Sequence, residues 1–388
     1  MKIYDVIIIG GGASGCITAL QAAKKNKNIL IIDKNASLGK KLMVTGNGRC
    51  NLTNLNILPS LLYYNQSIDS FINRFSPTQT IEWFNQLGLI TFSDNEGRVY
   101  PITNSAKSVI DVLNNEIGKF KNISAELNQT CLDIIFKDEK YIVKTDKGEF
   151  VSKKVVIACG GKSMEEILQK FKIPYNNFQP SLAAIKTEKT KILDGCRLSP
   201  ALLTIEENGK KLFKEKGEIL FKDSGLSGIV AFNASTLFAR GEIKNAKIIL
   251  DLLPSFSVTE LEHLLESRKK LALPINKMFD GLLLPQLGWH ILNKCKINED
   301  RLSLQLSKNE IKLIVSAIKN STFSFAGFYN NNQVYSGGVL LNALNNNLES
   351  KAYSGLYFCG EICDIDGKCG GYNLQWAWTS GYIVGETL

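Results

Sequence analysis

The feature that most constrains this chain is a run of glycines set between an apolar strand and a helix close to its start. Asp5-Val-Ile-Ile-Ile-Gly10 is a β-branched apolar run, the pattern of a strand buried on both faces. It breaks at Gly10-Gly11-Gly12-Ala13-Ser14-Gly15, where Gly10, Gly12 and Gly15 have G-x-G-x-x-G spacing. A helical stretch from Cys16 to Lys25 follows, then a second apolar run, Asn28-Ile-Leu-Ile-Ile32, ending at Asp33. In this order the parts make a dinucleotide-binding βαβ unit. Gly10 permits the turn off the strand, Gly12 lets a pyrophosphate approach the backbone, and Gly15 lets the helix pack close to the sheet. The helix's free N-terminal amides then face the phosphates, and Asp33 is placed to accept hydrogen bonds from a ribose diol. A glycine-rich turn alone does not need all these parts. They do not choose between NAD and FAD.

At 388 residues the chain exceeds one ordinary core, so two or three domains are expected. No run reaches the roughly eighteen apolar residues of a membrane span. The start leads straight into the first strand, so no signal peptide and a cytoplasmic location are expected. Nine cysteines form an odd, scattered set without a C-x-x-C pair, and only two histidines exist. Reduced thiols and no metal site are expected. The net charge of +9 is spread along the chain, with Lys-Lys pairs beginning at Lys24, Lys40, Lys153, Lys210 and Lys269. Solvated faces account for it without a nucleic-acid partner.

After Asp33 a loop dense in glycine and small polar groups, Gly46-Asn-Gly-Arg-Cys-Asn-Leu-Thr-Asn54, carries one fixed charge at Arg49. Such a loop lays its backbone against a flat ring and points Arg49, Asn51 and Thr53 at it. Residues 60–118 read as mainly helical, including Pro77 to a C-cap at Gly88. Glu96-Gly-Arg-Val-Tyr-Pro101 reads as a turn and short strand whose Arg98 and Tyr100 either face a substrate or hold the turn. Residues 123–151 read as short strands with a hairpin turn at Asp146-Lys-Gly148. Lys154-Val-Val-Ile-Ala-Cys-Gly-Gly161 reads as a separate buried strand ending in paired glycines, a second close approach of backbone to a ligand. Residues 181–254 read as β-rich. Residues 255–320 read as helical, opening on the capping box Ser257-Val-Thr-Glu260 and continuing through Leu261, Leu264, Leu265 and Leu271. Asparagine clusters at 330–332 and 345–347 mark loops. Finally Gly355-Leu-Tyr-Phe-Cys-Gly-Glu361 is a buried strand, and a glycine-rich loop to Gly371 opens a helix. Its first amides, near Asn373, Leu374 and Gln375, would stabilise negative charge on a reduced flavin. Nicotinamide has no such need, which tilts the cofactor to FAD.

These stretches resemble the BaiN/YhiN-like family of NAD(P)/FAD-dependent oxidoreductases. The resemblance rests on Gly10 to Gly15, on Gly39-Lys-Lys-Leu-Met-Val-Thr-Gly-Asn-Gly-Arg-Cys-Asn-Leu-Thr-Asn54 and on Gly355-Leu-Tyr-Phe-Cys-Gly-Glu-Ile-Cys-Asp-Ile-Asp-Gly367. It extends through Gly370-Gly-Tyr-Asn-Leu-Gln-Trp-Ala-Trp-Thr-Ser-Gly381 and covers nearly the whole chain. It implies an α/β fold: a Rossmann-like FAD-binding domain of glutathione-reductase type, with an inserted β-rich domain and a small helical domain. The boundaries are 1–180 and 335–388 for the FAD domain, 181–254 and 321–334 for the β-rich domain, and 255–320 for the helical one. It implies FAD contacts from Gly10, Gly12, Ala13, Ser14, Gly15, Asp33, Lys34 and Lys41, and from Gly46, Gly48, Arg49, Cys50 and Asn51. Cys131, Cys159, Gly160, Gly161, Gly360, Glu361, Gly371, Asn373, Leu374 and Gln375 complete the implied set. Two departures touch the substrate side: Lys162-Ser-Met-Glu-Glu replaces a longer glycine- and serine-rich loop, and Asp223 stands where the family tends to have histidine.

The expected activity is hydride transfer between bound flavin and a small organic substrate, with NAD(P)H as a transient donor because no second G-x-G-x-x-G exists. Arg49, Arg98, Tyr100, Asp366 and Tyr372 are the catalytic candidates. A tRNA-modifying flavoprotein and a flavin-binding redox sensor are the alternatives. A plain NAD dehydrogenase would leave the Arg49 and Asn373 loops without a purpose.

Overall fold

The computed structural model describes every residue except 1, 189, 190, 242, 244, 245 and 330–332, so the asparagine cluster at 330–332 lies outside the described residues. The chain divides into two compact units, one of residues 1–179 with 334–388 and one of residues 180–333.

The first unit opens with β1 (Ile3–Ile9), α1 (Ala13–Ala23) and β2 (Ile29–Asp33). A small antiparallel sheet of β3 (Thr53–Asn54), β4 (Thr91–Ser93) and β5 (Arg98–Pro101) follows, with α2 (Asp69–Ile72) and α3 (Pro77–Gln86) between its strands. Next come α4 (Ala106–Gly118), β6 (Ile123–Leu127), β7 (Cys131–Lys137), β8 (Lys140–Thr145), β9 (Gly148–Ile157) and α5 (Glu165–Lys170). The chain leaves this unit along β10 (Tyr175–Ser181).

The second unit is a closed antiparallel barrel of six strands. These are β11 (Ile185–Thr187), β12 (Arg197–Glu207), β13 (Lys210–Lys222), β14 (Gly225–Ser227), β15 (Lys247–Asp251) and β16 (Ser321–Phe328), in the order β11-β14-β13-β12-β15-β16. Helix α6 (Ile229–Ala239) interrupts the β-rich stretch. Helices α7 (Val258–Lys269), α8 (Pro285–Lys294) and α9 (Lys308–Lys319) lie between the last two strands. The unit buries its own core, including Ile205, Ile219, Phe221, Ile248 and Leu250. The chain re-enters the first unit with β17 (Val334–Val339), β18 (Leu356–Phe358) and α10 (Tyr372–Thr387).

The main sheet has the order β6-β2-β1-β9-β8-β7, with β18 also paired to β9. β6, β2, β1, β9 and β18 are parallel, in registers such as Ile9↔Ile32, Ile9↔Ile157 and Phe358↔Ile157. Their carboxyl ends therefore share one edge, where open α/β sheets place ligands. β8 and β7 return antiparallel.

Three sequence expectations need correction. The stretches around Glu149 and Lys154 are one ten-residue strand, not two. Its first half pairs with β8 and its second half with β1 and β18, and Lys153 is polar because it pairs at the surface with Asp5 at 2.9 Å. Within the stretch read as β-rich, residues 229–239 are helical. Leu271 lies beyond α7 and is exposed. The capping box at Ser257 and Glu260 forms as read. Among the described residues no helix is long and apolar enough to cross a membrane, and no cluster of side chains is placed to hold a metal ion.

Candidate flavin site

Four strand ends, those of β1, β2, β9 and β18, and two loops meet at the carboxyl edge of the main sheet. After β1, Gly10 adopts φ +105°, and a Cβ there would lie 2.5 Å from the Cα of Cys159. A Cβ on Gly15 would lie 1.9 Å from the Gly10 carbonyl oxygen, so these two glycines are required by packing. Gly12 differs. It caps α1 with no heavy atom within 4 Å of where a Cβ would stand. The space beside Gly12, at the N-terminus of α1, is open. A pyrophosphate fits that cradle by charge and by clearance.

Asp33 ends β2 with its carboxylate turned back on the loop. Oδ2 accepts from the Gly11 amide at 2.7 Å, and Oδ1 accepts from the Asn35 amide at 2.7 Å and its side chain at 2.9 Å. A carboxylate offers about four acceptor positions, so capacity remains for a ribose diol. Lys34, next along, is exposed.

β9 runs into Cys159 and Gly160, the latter at φ +83°, and Tyr335 packs against Gly161. Burial pushes the Cys159 thiol up to about 11 and the Cys131 thiol, at the start of β7, up to about 12. Both stay neutral at physiological pH. β18 runs into Gly360, whose amide donates to Ser380 Oγ at 2.8 Å and whose carbonyl accepts from Trp376 Nε1 at 3.0 Å. A Cβ on Gly360 would meet Ser14 Oγ at 2.5 Å, so this strand end sits directly on the start of α1. Glu361 takes the Tyr335 amide on Oε1 at 3.0 Å and pairs through Oε2 with Lys41 at 2.5 Å.

The loop through Gly46, Gly48 and Cys50 winds through left-handed backbone (φ +55°, +82° and +58°) and is sewn to α10. With its amide oriented to suit its neighbours, Asn51 accepts from the Gly371 amide at 3.1 Å and donates to the carbonyls of Thr53 and Val99. Thr53 Oγ1 donates to Gln375 Oε1 at 2.5 Å, Asn54 to the Gly370 carbonyl at 2.9 Å, and Trp378 Nε1 to the Leu52 carbonyl at 3.0 Å. Cys50 is buried, its thiol pushed up to about 12.

Several residues expected to face a ligand are turned inward. Gln375 Nε2 donates to the Phe75 carbonyl, Thr80 and Thr379, which leaves its side chain in a closed buried network. Asn373 closes its own loop, accepting from the Gly367 amide at 2.9 Å and donating to the Gly367 carbonyl at 2.8 Å. At these positions and at Asn51, backbone rather than side chain is left to meet a ligand, together with that of Leu374. Arg98 is clamped to Asp94 at 2.7 Å and Glu96 at 3.1 Å and holds the turn before β5. Asp366 is buried and accepts from Ser336 Oγ at 2.6 Å. Arg49 is exposed, its guanidinium 4.5 Å over the ring of the buried Tyr100. Tyr372 stacks on Tyr63 at 4.5 Å, and burial raises its phenol. Sequence reading missed Ser380, Trp376 and Tyr335. Their residue types signal core, and nothing local announces partners at Gly360 and Glu361.

A mixed, mainly parallel sheet with a glycine-capped helix on its first strand, a second glycine loop and a returning C-terminal helix defines a Rossmann-type FAD-binding protein. The chain belongs to the family described as HI0933-like protein Rossmann domain, which it matches over residues 4–387. It is 29% identical to the 3-dehydro-bile acid delta(4,6)-reductase of Clostridium scindens, over 98% of this chain and 97% of that protein. It is also similar to the ribosomal RNA dihydrouridine synthases of Haemophilus influenzae and Escherichia coli. The first is 28% identical over 98% of each chain, the second 29% over 100% of this chain and 98% of its own. The chain is a flavin-dependent oxidoreductase.

Proposed function

We propose that this protein reduces a carbon–carbon double bond conjugated to a carbonyl in a small organic substrate, with NAD(P)H as a transient hydride donor. The observation that carries the reading is the sewing of the Arg49 loop to the N-terminus of α10 through Asn51–Gly371, Thr53–Gln375 and Trp378–Leu52. A polar backbone surface is thereby held rigidly beside a positive helix end. Bound FAD supplies the hydride chemistry there. The α1 amides and Gly12 hold its pyrophosphate, and Asp33 holds its ribose. The amides at the start of α10 stabilise negative charge. Arg49 orients the substrate carbonyl, and Tyr100, packed under Arg49, holds a proton for it. Residues 255–320 serve as a helical subdomain carried by the barrel. The two kinds of relative support the chemistry, since both names describe the reduction of double bonds.

A second reading, RNA as the substrate, is favoured by one observation. Residues 180–333 carry 22 Lys and Arg against 16 acids, which is two-thirds of the net charge. The test is anaerobic titration with NADH and with NADPH, followed by reoxidation with cyclohex-2-enone or with a uridine-rich RNA. Bleaching of the flavin bands by one nicotinamide and recovery with the enone is expected. Recovery with the RNA alone would establish the second reading, and recovery with neither would sink both.

A further inference from the structure

The second unit holds a cleft whose lining includes none of the residues described at the flavin site. Three segments line it: the start of β12 at 197–200, the turn after β15 at 252–256, and the approach to α8 at 281–285. Its volume is about 500 Å³, within the range of roughly 300–1,000 Å³ typical of small-molecule sites.

The lining is mainly apolar. Leu252 and Leu283 are buried, while Phe256 (37% exposed) and Leu284 (42% exposed) show large apolar surface to water. The middle wall is fixed from behind. Lys319 donates to the carbonyls of Leu253 at 3.2 Å and Phe256 at 2.6 Å, and its charge is matched by Asp251 at 2.6 Å. Among the lining residues one is charged, Arg197. Its guanidinium has only a loose 3.5 Å approach to Glu218, with the two side chains 64% and 40% exposed. Such a pair contributes little, so the guanidinium is free to take a better partner. Helix α8 starts at the same cleft on Leu284, which offers no side-chain cap, so its positive end adds to the sign set by Arg197.

We propose that this cleft binds an amphipathic carboxylate: an elongated apolar body against the leucine walls, with one carboxylate on Arg197. A neutral apolar ligand would leave Arg197 unused, and a cation would be repelled. This inference stands independently of the reaction assigned to the flavin.

The experiment is calorimetric titration of the full-length protein with dodecanoate below its micellar range. Dodecyltrimethylammonium provides the same chain with opposite charge, and cholate the same charge on a rigid fused-ring body. Saturable 1:1 binding of dodecanoate, at least tenfold tighter than the cation, is expected. Arg197→Gln should abolish that preference, and Ser255→Trp, which adds bulk at an exposed position of the cleft wall, should block binding. Cholate binding in place of dodecanoate would support the site and assign it to fused-ring acids. Equal binding of the cation, an unchanged preference in Arg197→Gln, or no binding of either acid would overturn the proposal. If a variant melts early, the wild-type preference for acid over cation decides alone.

Discussion

Cysteines line the flavin edge, yet their environment makes them packing residues. Burial pushes the thiols of Cys16, Cys50 and Cys359 up to about 12 and raises that of Cys363 well above its ordinary value. The thiolate is the reactive form, so these four should resist alkylation by iodoacetamide at neutral pH until the protein is unfolded. Half-buried Cys369 should react in the native state. Mass spectrometry of the labelled peptides reads this directly, and native labelling at Cys50 or Cys359 would contradict it. At this scale the sequence was informative where one residue has one physical reason. Gly10 and Gly15 stand where no side chain fits. It was uninformative where a side chain chooses between ligand and protein. Gln375 and Thr53 are 322 positions apart, and nothing near either residue announces their hydrogen bond.

Elements were legible where their own pattern decides them. The capping box at Ser257, the proline start of α3 and the glycines after β1, β9 and β18 mark element ends by local chemistry. Helix α6 was not legible, because Ile229-Val-Ala-Phe-Asn-Ala-Ser-Thr-Leu-Phe-Ala239 is apolar on most sides and shows no helical stripe. Two predictions belong here. Gln375→Ala leaves Thr53 and Thr80 without their buried partner, so it should cost about 3 kcal/mol in a denaturant titration. A change under about 1 kcal/mol would mean the loop is not anchored through that side chain. In α9, the hydrogen bond from Arg301, followed by the Ser307 amide, holds the Glu310 carboxyl at about 2. A lowered carboxyl stabilises the fold above its ordinary value and loses that contribution as pH falls towards 2. Glu310→Gln should therefore lower the melting temperature at pH 7, with the gap closing in acid. A gap constant with pH would refute the assignment.

The whole molecule brings the two ends of the chain together. β18 pairs with β9, and α10 lies along α1, where Thr18 Oγ1 donates to the Gly381 carbonyl at 2.9 Å. A Cβ on Gly381 would stand 2.5 Å from the Ser14 carbonyl oxygen. The repeated glycine-ended strands at the two termini made that assembly readable. The barrel closure was not readable, because strand partners such as β11 and β16 are set by long-range packing. The central claim is that the α1 terminus, opened by Gly12, carries FAD. The most direct measurement is FAD content and affinity, by absorbance near 450 nm and by titration of the apoprotein, for the wild type, Gly12→Ala and Gly15→Ala. A Cβ at Gly12 meets no protein atom but enters the open cradle. Gly12→Ala should keep the apoprotein's melting temperature and bind FAD at least tenfold more weakly, about 1.4 kcal/mol. Gly15→Ala should destabilise the fold itself. Wild-type FAD affinity in Gly12→Ala, or a wild-type protein that takes up no flavin, would contradict the account.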